Sequence, residues 1–191
     1  MFYEFSHRFT PCLVDGNAEN VVLSRETKAT TVMGKEYVYN GLFSLQSAIE
    51  LGMIVESDVS FLVLTMRTTV ERDKYCSLLK TNTLVEVQRY GQNYDSLDNP
   101  VGEPSFTPME SDVKCFAQYV TAQLRMDEPG LLATTNYVLI IQTSVDVRKP
   151  QDQSLLSPDR IVLDGRPYQV DVVDSIKYPN LLHIQLSEDL R

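Results

Sequence analysis

Apolar and polar residues alternate over much of this chain with the two-residue period of β-strands. The stretches 59–65 and 137–143 are short, apolar and rich in β-branched residues, which is typical of strands buried on both faces. Near the C-terminus, 161–163 runs into Asp164-Gly165, a strong hairpin signal, and 168–174 alternates. With the alternating segment 182–186, these residues are predicted to form a three-stranded antiparallel meander.

A helical spacing interrupts this pattern in one place. Leu42, Leu45, Ile49 and Met53 recur at intervals of three and four residues, which predicts a short helix over 42–51. Residues after Ser111 fit two interpretations. Ser111 can cap a helix with an apolar face, or Val113, Cys115 and Ala117 can share one side of a strand.

The best linker candidate is 92–108, which contains three prolines, Gly102 and two asparagines but few apolar residues. It divides the chain into an N-terminal β-rich module, 1–91, and a C-terminal module, 109–191. The strand-like stretch 59–65 resembles 137–143 at a displacement of 78 positions, which suggests two related modules. The alternative is that any two β segments share apolar alternation.

Composition and charge exclude several classes of protein. The 191 residues are 43% apolar and 23% charged, as in ordinary globular domains. Lys and Arg number 17 against 26 Asp and Glu, and a net charge of -9 argues against a duplex-binding protein. Glu4 and Arg8 break the apolar N-terminus, so no signal peptide is expected, and no apolar run reaches the ~20 residues of a membrane span.

Candidate catalytic chemistry is sparse. The three cysteines are widely spaced and match no metal motif, which favours free thiols in a reducing cytoplasm. No phosphate-binding loop, zinc-protease motif or nucleophile elbow is present. His183 lies in an alternating strand, which favours a structural role, and acidic residues such as Asp171 and Glu188 are expected on a solvated face. We therefore expect no enzyme activity, cofactor or metal.

One C-terminal segment carries a recognisable pattern. It reads D-x-I-x-x-D-G-x-x-Y-x-V, carried by Asp159, Ile161, Asp164, Gly165, Tyr168 and Val170. From Pro158 to Asp189 the chain resembles the last hairpin of the head-closure (stopper) proteins of tailed bacteriophages. The resemblance implies a mainly β chain with a small SH3-like β-barrel at the C-terminus. The first 100 residues have no counterpart, and are either a second β-rich module with one short helix or an elaboration specific to this virus.

The resemblance also implies a function. Stopper proteins form a ring, typically a hexamer, below the portal and its adaptor, where they retain packaged DNA and receive the tail. The implied partners are copies of the chain itself, the portal or adaptor, and tail-terminator or tail proteins. DNA would pass through the lumen without sequence-specific binding, and the protein would be assembled in the host cytoplasm and reside in the virion neck.

One exposed loop is a candidate for contact with a neighbouring ring. In stopper-like proteins a long loop between barrel strands reaches a neighbouring ring or the lumen, which implies this role for Lys149, Pro150, Gln151, Asp152 and Gln153.

Three alternatives to a neck protein remain at the level of sequence. The first is a tail-terminator or baseplate protein. The second is a cytoplasmic β-barrel adaptor that binds a peptide, and an exposed aromatic cluster in a groove would favour it. The third is a hydrolase with a carboxylate site, for which clustered carboxylates holding a divalent metal would be evidence.

Overall fold

Two closed β-barrels, each of six antiparallel strands, form the chain. The computed structural model describes residues 2–26, 34, 36–148 and 157–191. The first barrel contains β1 (Phe9–Val14), β2 (Asn17–Arg25), β3 (Val38–Phe43), β4 (Ile54–Glu56), β5 (Ser60–Thr68) and β6 (Lys74–Lys80). The second contains β7 (Thr83–Tyr94), β8 (Pro100–Tyr119), β9 (Tyr137–Gln142), β10 (Arg160–Leu163), β11 (Arg166–Asp174) and β12 (Leu181–Glu188). The predicted mainly β fold with a C-terminal barrel is confirmed.

The two barrels repeat one topology. Around the first barrel the strands follow the order β1-β2-β3-β6-β5-β4, and the second follows β7-β8-β9-β12-β11-β10. Both also carry an irregularity at the same point of the ladder. The register of β5 shifts between Val63 and Thr65, and that of β11 shifts between Val170 and Val172. The shifts make Val63 and Val170 equivalent, and the other positions of the two barrels can be matched outward from them.

Equivalent positions fill the two cores with similar side chains. Val63 pairs with Leu78 and Val170 with Leu186, and all four residues are buried. On its other edge, each leucine pairs with a tyrosine of the next strand: Leu78 pairs with Tyr39, and Leu186 pairs with Tyr137. Tyr39 lies edge-to-face on Phe61, and Tyr137 on Tyr168, at the same centroid distance of 5.2 Å. This pairing of positions replaces the predicted 78-residue displacement, because β9 corresponds to β3 and not to β5.

The predicted helix over 42–51 is wrong. β3 ends at Phe43, and the chain then crosses the barrel end through turns. Leu45 is exposed whereas Ile49 is buried in the core, so the helical spacing does not correspond to one face. Nζ of Lys74 donates hydrogen bonds to the carbonyls of Ser47 and Ile49, in place of a helical ladder.

Helices occur elsewhere in the described residues. A 3-10 helix spans Phe2–Arg8, and α1 spans Ala122–Asp127 with Thr121 as its N-cap. The stretch after Ser111 is a strand up to Tyr119, since Val113 and Cys115 point into the second barrel. The strand interpretation of that stretch is therefore confirmed.

The barrels meet at Thr81 and Asn82, not in the stretch predicted as a linker. The backbone N–H of Thr81 bonds to Ser60 in the first barrel, and that of Asn82 to Cys115 in the second. Residues 92–108 lie in β7, β8 and their connecting turn. The prolines and Gly102 that suggested a linker accompany register shifts of a long hairpin. The division into 1–91, 92–108 and 109–191 is thus replaced by barrels that begin at Phe9 and Thr83.

An apolar contact joins the barrels. A cluster combines side chains from the first barrel with side chains from the second, namely Val38, Leu62, Leu64 and Leu79 with Phe116, Ile140 and Leu181. Around it, the Gln142 amide donates to the Gly52 carbonyl at 2.9 Å and the Asn180 amide to the Leu51 carbonyl at 3.1 Å. Lys114 forms an ion pair with Glu56 across the same junction. The two barrels therefore form one packed unit.

Candidate functional site

The segment that carries the stopper-like pattern forms the β10–β11 hairpin. Asp164 and Gly165 are its two turn residues, with φ of 51° and 73°, and two positive values are what a type I′ turn needs. Ile161, Tyr168 and Val170 lie in the core cluster of the second barrel. The hairpin also closes the barrel, because β10 pairs with β7 on its other edge.

Asp159 anchors the base of this hairpin. Its side chain is fully buried, and its two oxygens accept from Nε and Nη2 of Arg89 at 3.1 and 3.0 Å. The backbone N–H of Arg148 donates to the same carboxylate at 3.0 Å. Arg89 also reaches Asp146, and the hydrogen bonds that it donates to both carboxylates raise the pKa of Arg89 above its ordinary value. A forked guanidinium on a buried carboxylate fixes the position of β10 against β7.

A long hairpin, here called the arm (residues 90–112), extends the second barrel. In the first barrel β1 and β2 are joined by the turn Asp15-Gly16, whereas β7 and β8 continue to a tip at residues 95–99. β10 covers β7 only between Val85 and Gln88. Beyond that point the arm is a two-stranded ribbon.

The arm is acidic and partly apolar. It carries five exposed carboxylates, and no lysine or arginine occurs between Arg89 and Lys114. The acidic residues are Asp95, Asp98, Glu103, Glu110 and Asp112. Tyr94 and Leu97 near the tip are 62% and 79% exposed. A two-stranded ribbon is marginal alone, and exposed apolar side chains at its tip make the arm a candidate contact surface.

The base of the arm is fixed to the barrel by aromatic contacts. Tyr90 lies edge-to-face on Phe106 at 5.5 Å, directly across the hairpin. The guanidinium of Arg160 stacks over the Phe106 ring at 3.6 Å, and that of Arg191 lies 5.1 Å from it. These contacts set the direction in which the arm leaves the barrel.

Three tyrosines line a groove at one end of the second barrel. Tyr119 and Tyr137 lie edge-to-face at 5.4 Å, and Tyr137 and Tyr168 continue the row at 5.2 Å. Arg166, Pro167 and Glu188 complete the walls of a depression of about 410 Å³. Tyr119 is 59% exposed, so the aromatic row is open to solvent at that end.

A polar depression of about 550 Å³ lies beside α1 and holds the only histidine of the second barrel. Nζ of Lys177 is 2.8 Å from Glu128 and 3.2 Å from Nε2 of His183. Burial, with the nearby Lys177 charge, lowers the pKa of His183 to about 4, so the imidazole is neutral at pH 7. None of the described residues lining this depression is a serine, threonine or cysteine that an adjacent base could activate.

Metal-binding and thiol chemistry find little support in the described part of the chain. It contains no group of three His, Cys, Asp or Glu side chains that could hold a metal ion. Cys12, Cys76 and Cys115 are buried, and burial raises their pKa values to about 11, 12 and 12. Such thiols are poor nucleophiles. Among the described helices, none is long and apolar enough to cross a membrane.

No protein-family model matches the sequence, and no curated protein matches it.

The structure brings the six residues of the pattern into one hairpin, and it adds residues that sequence reasoning missed. Arg89 is 70 positions from its partner Asp159, and no local pattern relates the two. The acidic arm was detectable, since 90–113 contains no basic residue. The candidate inter-ring residues Lys149, Pro150, Gln151, Asp152 and Gln153 lie outside the described residues.

Proposed function

We propose that this chain is a structural protein of a phage neck, where a ring of identical copies joins the portal or its adaptor to the tail and helps to retain packaged DNA. The observation that carries the proposal is the hairpin that bears the stopper-like pattern. It closes a six-stranded barrel, with Asp164-Gly165 at the turn and Tyr168 and Val170 in the core. That is the place the resemblance assigns to it.

Two further properties support this role. The arm gives each subunit an exposed element that can reach a neighbour. The net charge of -9 suits a protein that stands around DNA without retaining it, because acidic surfaces do not release counterions from phosphates. The proposal includes no catalytic activity, and the polar depression at His183 then has a structural role.

The test is to locate the chain in virus particles. Purified particles are treated with a lysine-and-carboxylate crosslinker and digested, and the crosslinked peptides are identified. We expect peptides of this chain joined to the portal or adaptor on one side and to tail proteins on the other. Crosslinks to tail proteins alone would instead indicate a tail-terminator or baseplate protein, and absence of the chain from particles would overturn the proposal.

A loss-of-function experiment tests the same role independently. Deleting the gene is expected to give filled heads and free tails that do not join, with DNA leaking from the heads. Complementation with the wild-type chain should restore joined particles. Normal particles without the chain would contradict the proposal.

The tyrosine groove favours a second candidate, a peptide-binding adaptor. Grooves lined by aromatic side chains are typical of domains that bind extended, proline-rich segments. A library of such peptides would be tested for binding to the wild-type chain and to Tyr119→Ala, with Tyr3→Ala as a control at an exposed tyrosine of the N-terminal 3-10 helix. Micromolar binding lost only in Tyr119→Ala would support the adaptor, and no binding would remove it.

A further inference from the structure

The contact between the barrels uses different faces of the two. The first barrel contributes residues of β3, β5 and β6, whereas the second contributes Phe116 of β8, Ile140 of β9 and Leu181 of β12. The barrels share one topology, so the face that the second barrel uses also exists on the first. A face that accepts a barrel inside this chain is a candidate for accepting another element between chains.

The strand registers identify that face on the first barrel. Tyr39 and Tyr137 are equivalent, so Leu42 is equivalent to Ile140, three residues further along each strand. Leu42 pairs with Val22 in the same way as Ile140 pairs with Phe116. Val22 and Leu42 therefore mark the counterpart of the face by which the second barrel is held.

On the first barrel this face is only partly covered. Phe2 of the N-terminal helix packs on Val22 and Leu42, and its backbone N–H donates to Asp73 at 2.8 Å. Beside Phe2 an open groove of about 150 Å³ remains, with Phe5, Val22, Leu42 and Tyr75 on its apolar floor. A groove of this volume holds one side chain and is too small for a typical small-molecule ligand. We call it the barrel-1 groove.

The rim of the barrel-1 groove is basic. Arg8 lines it, and Arg67 stacks over the ring of Tyr75 with its guanidinium carbon 4.5 Å from the centroid. Both arginines are exposed. An apolar floor with one guanidinium group on its wall and another on a ring that lines it suits a partner that presents an apolar side chain flanked by carboxylates.

The tip of the arm presents that combination. Leu97 is 79% exposed and stands between Asp95 and Asp98, both of which are exposed. Asp95 also accepts from the backbone N–H groups of Leu97 and Asn99, at 2.8 and 2.9 Å, which holds the tip in one conformation. A preorganised tip loses little conformational freedom when it binds.

We propose that the arm tip of one copy docks in the barrel-1 groove of a second copy, with Leu97 on the apolar floor and Asp98 facing the arginine rim. The contact joins two different surfaces, so it is heterologous and closes into a ring when the rotation between copies allows. This proposal rests on the ring of identical subunits proposed above and names the contact that would build it.

A disulfide-trapping experiment tests the contact directly. Chains carrying Leu97→Cys are mixed with chains carrying Ser24→Cys, which adds a thiol at the groove wall. The native cysteines are buried and have raised pKa values, so they stay unreactive under mild oxidation. We expect a disulfide-linked dimer in this mixture and not when Val70→Cys, a fully exposed site of the first barrel, replaces Ser24→Cys. Equal amounts of disulfide-linked dimer with Ser24→Cys and with Val70→Cys, or no dimer in either mixture, would overturn the proposal.

The strength of self-association provides an independent test of the contact. Sedimentation equilibrium of the full chain should show association weakened about tenfold or more by Leu97→Ser, by Asp98→Lys and by Arg67→Glu. The double variant with Asp98→Lys and Arg67→Glu should recover part of that loss. Leu190→Ser, at an exposed site outside the contact, should leave association unchanged. Association that is insensitive to the three single variants would contradict the contact.

The two proposals fail in different ways. If Leu97→Ser chains are still incorporated into joined particles, the arm contact is wrong while the neck function stands. If the disulfide forms in solution but the chain is absent from particles, the contact stands and the neck function falls.

Discussion

At the scale of single residues, the Arg89–Asp159 pair is the most consequential polar contact of the second barrel. Asp159 is fully buried, and within the described part of the chain the guanidinium of Arg89 is the charged group that hydrogen-bonds to it. Asp159→Asn should lower the free energy of unfolding by about 3 kcal/mol, because Arg89 would keep its charge and lose a buried carboxylate. Urea unfolding measures this change.

The matched control for that substitution is Asp146→Asn. Asp146 binds the same guanidinium, but its side chain is 70% exposed. Solvent screens such a pair, so the loss should stay below about 1 kcal/mol. Equal losses in the two variants would show that burial does not set the strength of this network.

His183 makes stability depend on pH. Its folded pKa of about 4 lies below the ordinary value of about 6.5, so the unfolded chain takes up the proton first as the pH falls. The contribution of His183 is therefore present above pH 6.5 and is lost as the pH falls toward 4, by ~3 kcal/mol in total. Between pH 7 and 4.5, the free energy of unfolding measured in urea should fall less steeply in His183→Gln than in the wild type. Identical pH profiles would contradict this account.

At the scale of elements, the turn at Asp164-Gly165 sets the register of the closing hairpin. Gly165 has φ of 73° and open space around the position of a Cβ atom. Gly165→Val should cost about 1–2 kcal/mol through backbone strain alone. Gly130→Val is the control, since Gly130 also has open space but no positive φ. Thermal melts of the two variants that coincide would exclude strain as the cause.

Strands and hairpins were predictable from this sequence where local pattern determines them. The alternation over 168–174 and the Asp-Gly turn are properties of neighbouring residues, and β10, β11 and β12 follow from them. The module boundary was not predictable from composition. Thr81 and Asn82 look ordinary, whereas the prolines of 92–108 belong to an exposed ribbon that has no core to fill. The Arg89–Asp159 pair depends on tertiary contact alone.

The arm is expected to be dispensable for folding. Tyr90 and Phe106 face each other in register, so replacing residues 91–105 with Asn-Gly would close the hairpin at that pair. The removed residues whose burial the structure describes are exposed or partly exposed, and the free energy of unfolding should change by less than about 0.5 kcal/mol. Urea unfolding checks stability and sedimentation checks association, which should be lost. A large loss of stability would show that the arm is part of the barrel core.

At the scale of the whole molecule, the repeated barrel explains why one chain can contain both a rigid junction and an exposed counterpart of it. The second barrel is held through Phe116 and Ile140, and the equivalent face of the first barrel keeps an open groove. The connection at Thr81 and Asn82 is too short to let the barrels separate freely. The junction therefore fixes where the arm points relative to the barrel-1 groove.

The junction should make the two barrels unfold as one unit. Gly52 has φ of 80°, and a Cβ there would lie 2.4 Å from the Asn180 carbonyl oxygen of the second barrel. Gly52→Ala must therefore push the barrels apart.

Gly16→Ala separates this effect from backbone strain, because Gly16 has φ of 78° with open space around it. Scanning calorimetry of the wild type should show one transition. We expect Gly16→Ala to keep that single transition at a cost of about 1 kcal/mol. Gly52→Ala should lose at least about 2 kcal/mol more and resolve two transitions, since the apolar contact would no longer couple the barrels. If the two variants melt alike, the close approach at Asn180 does not hold the barrels together, and the direction of the arm is not fixed by this junction.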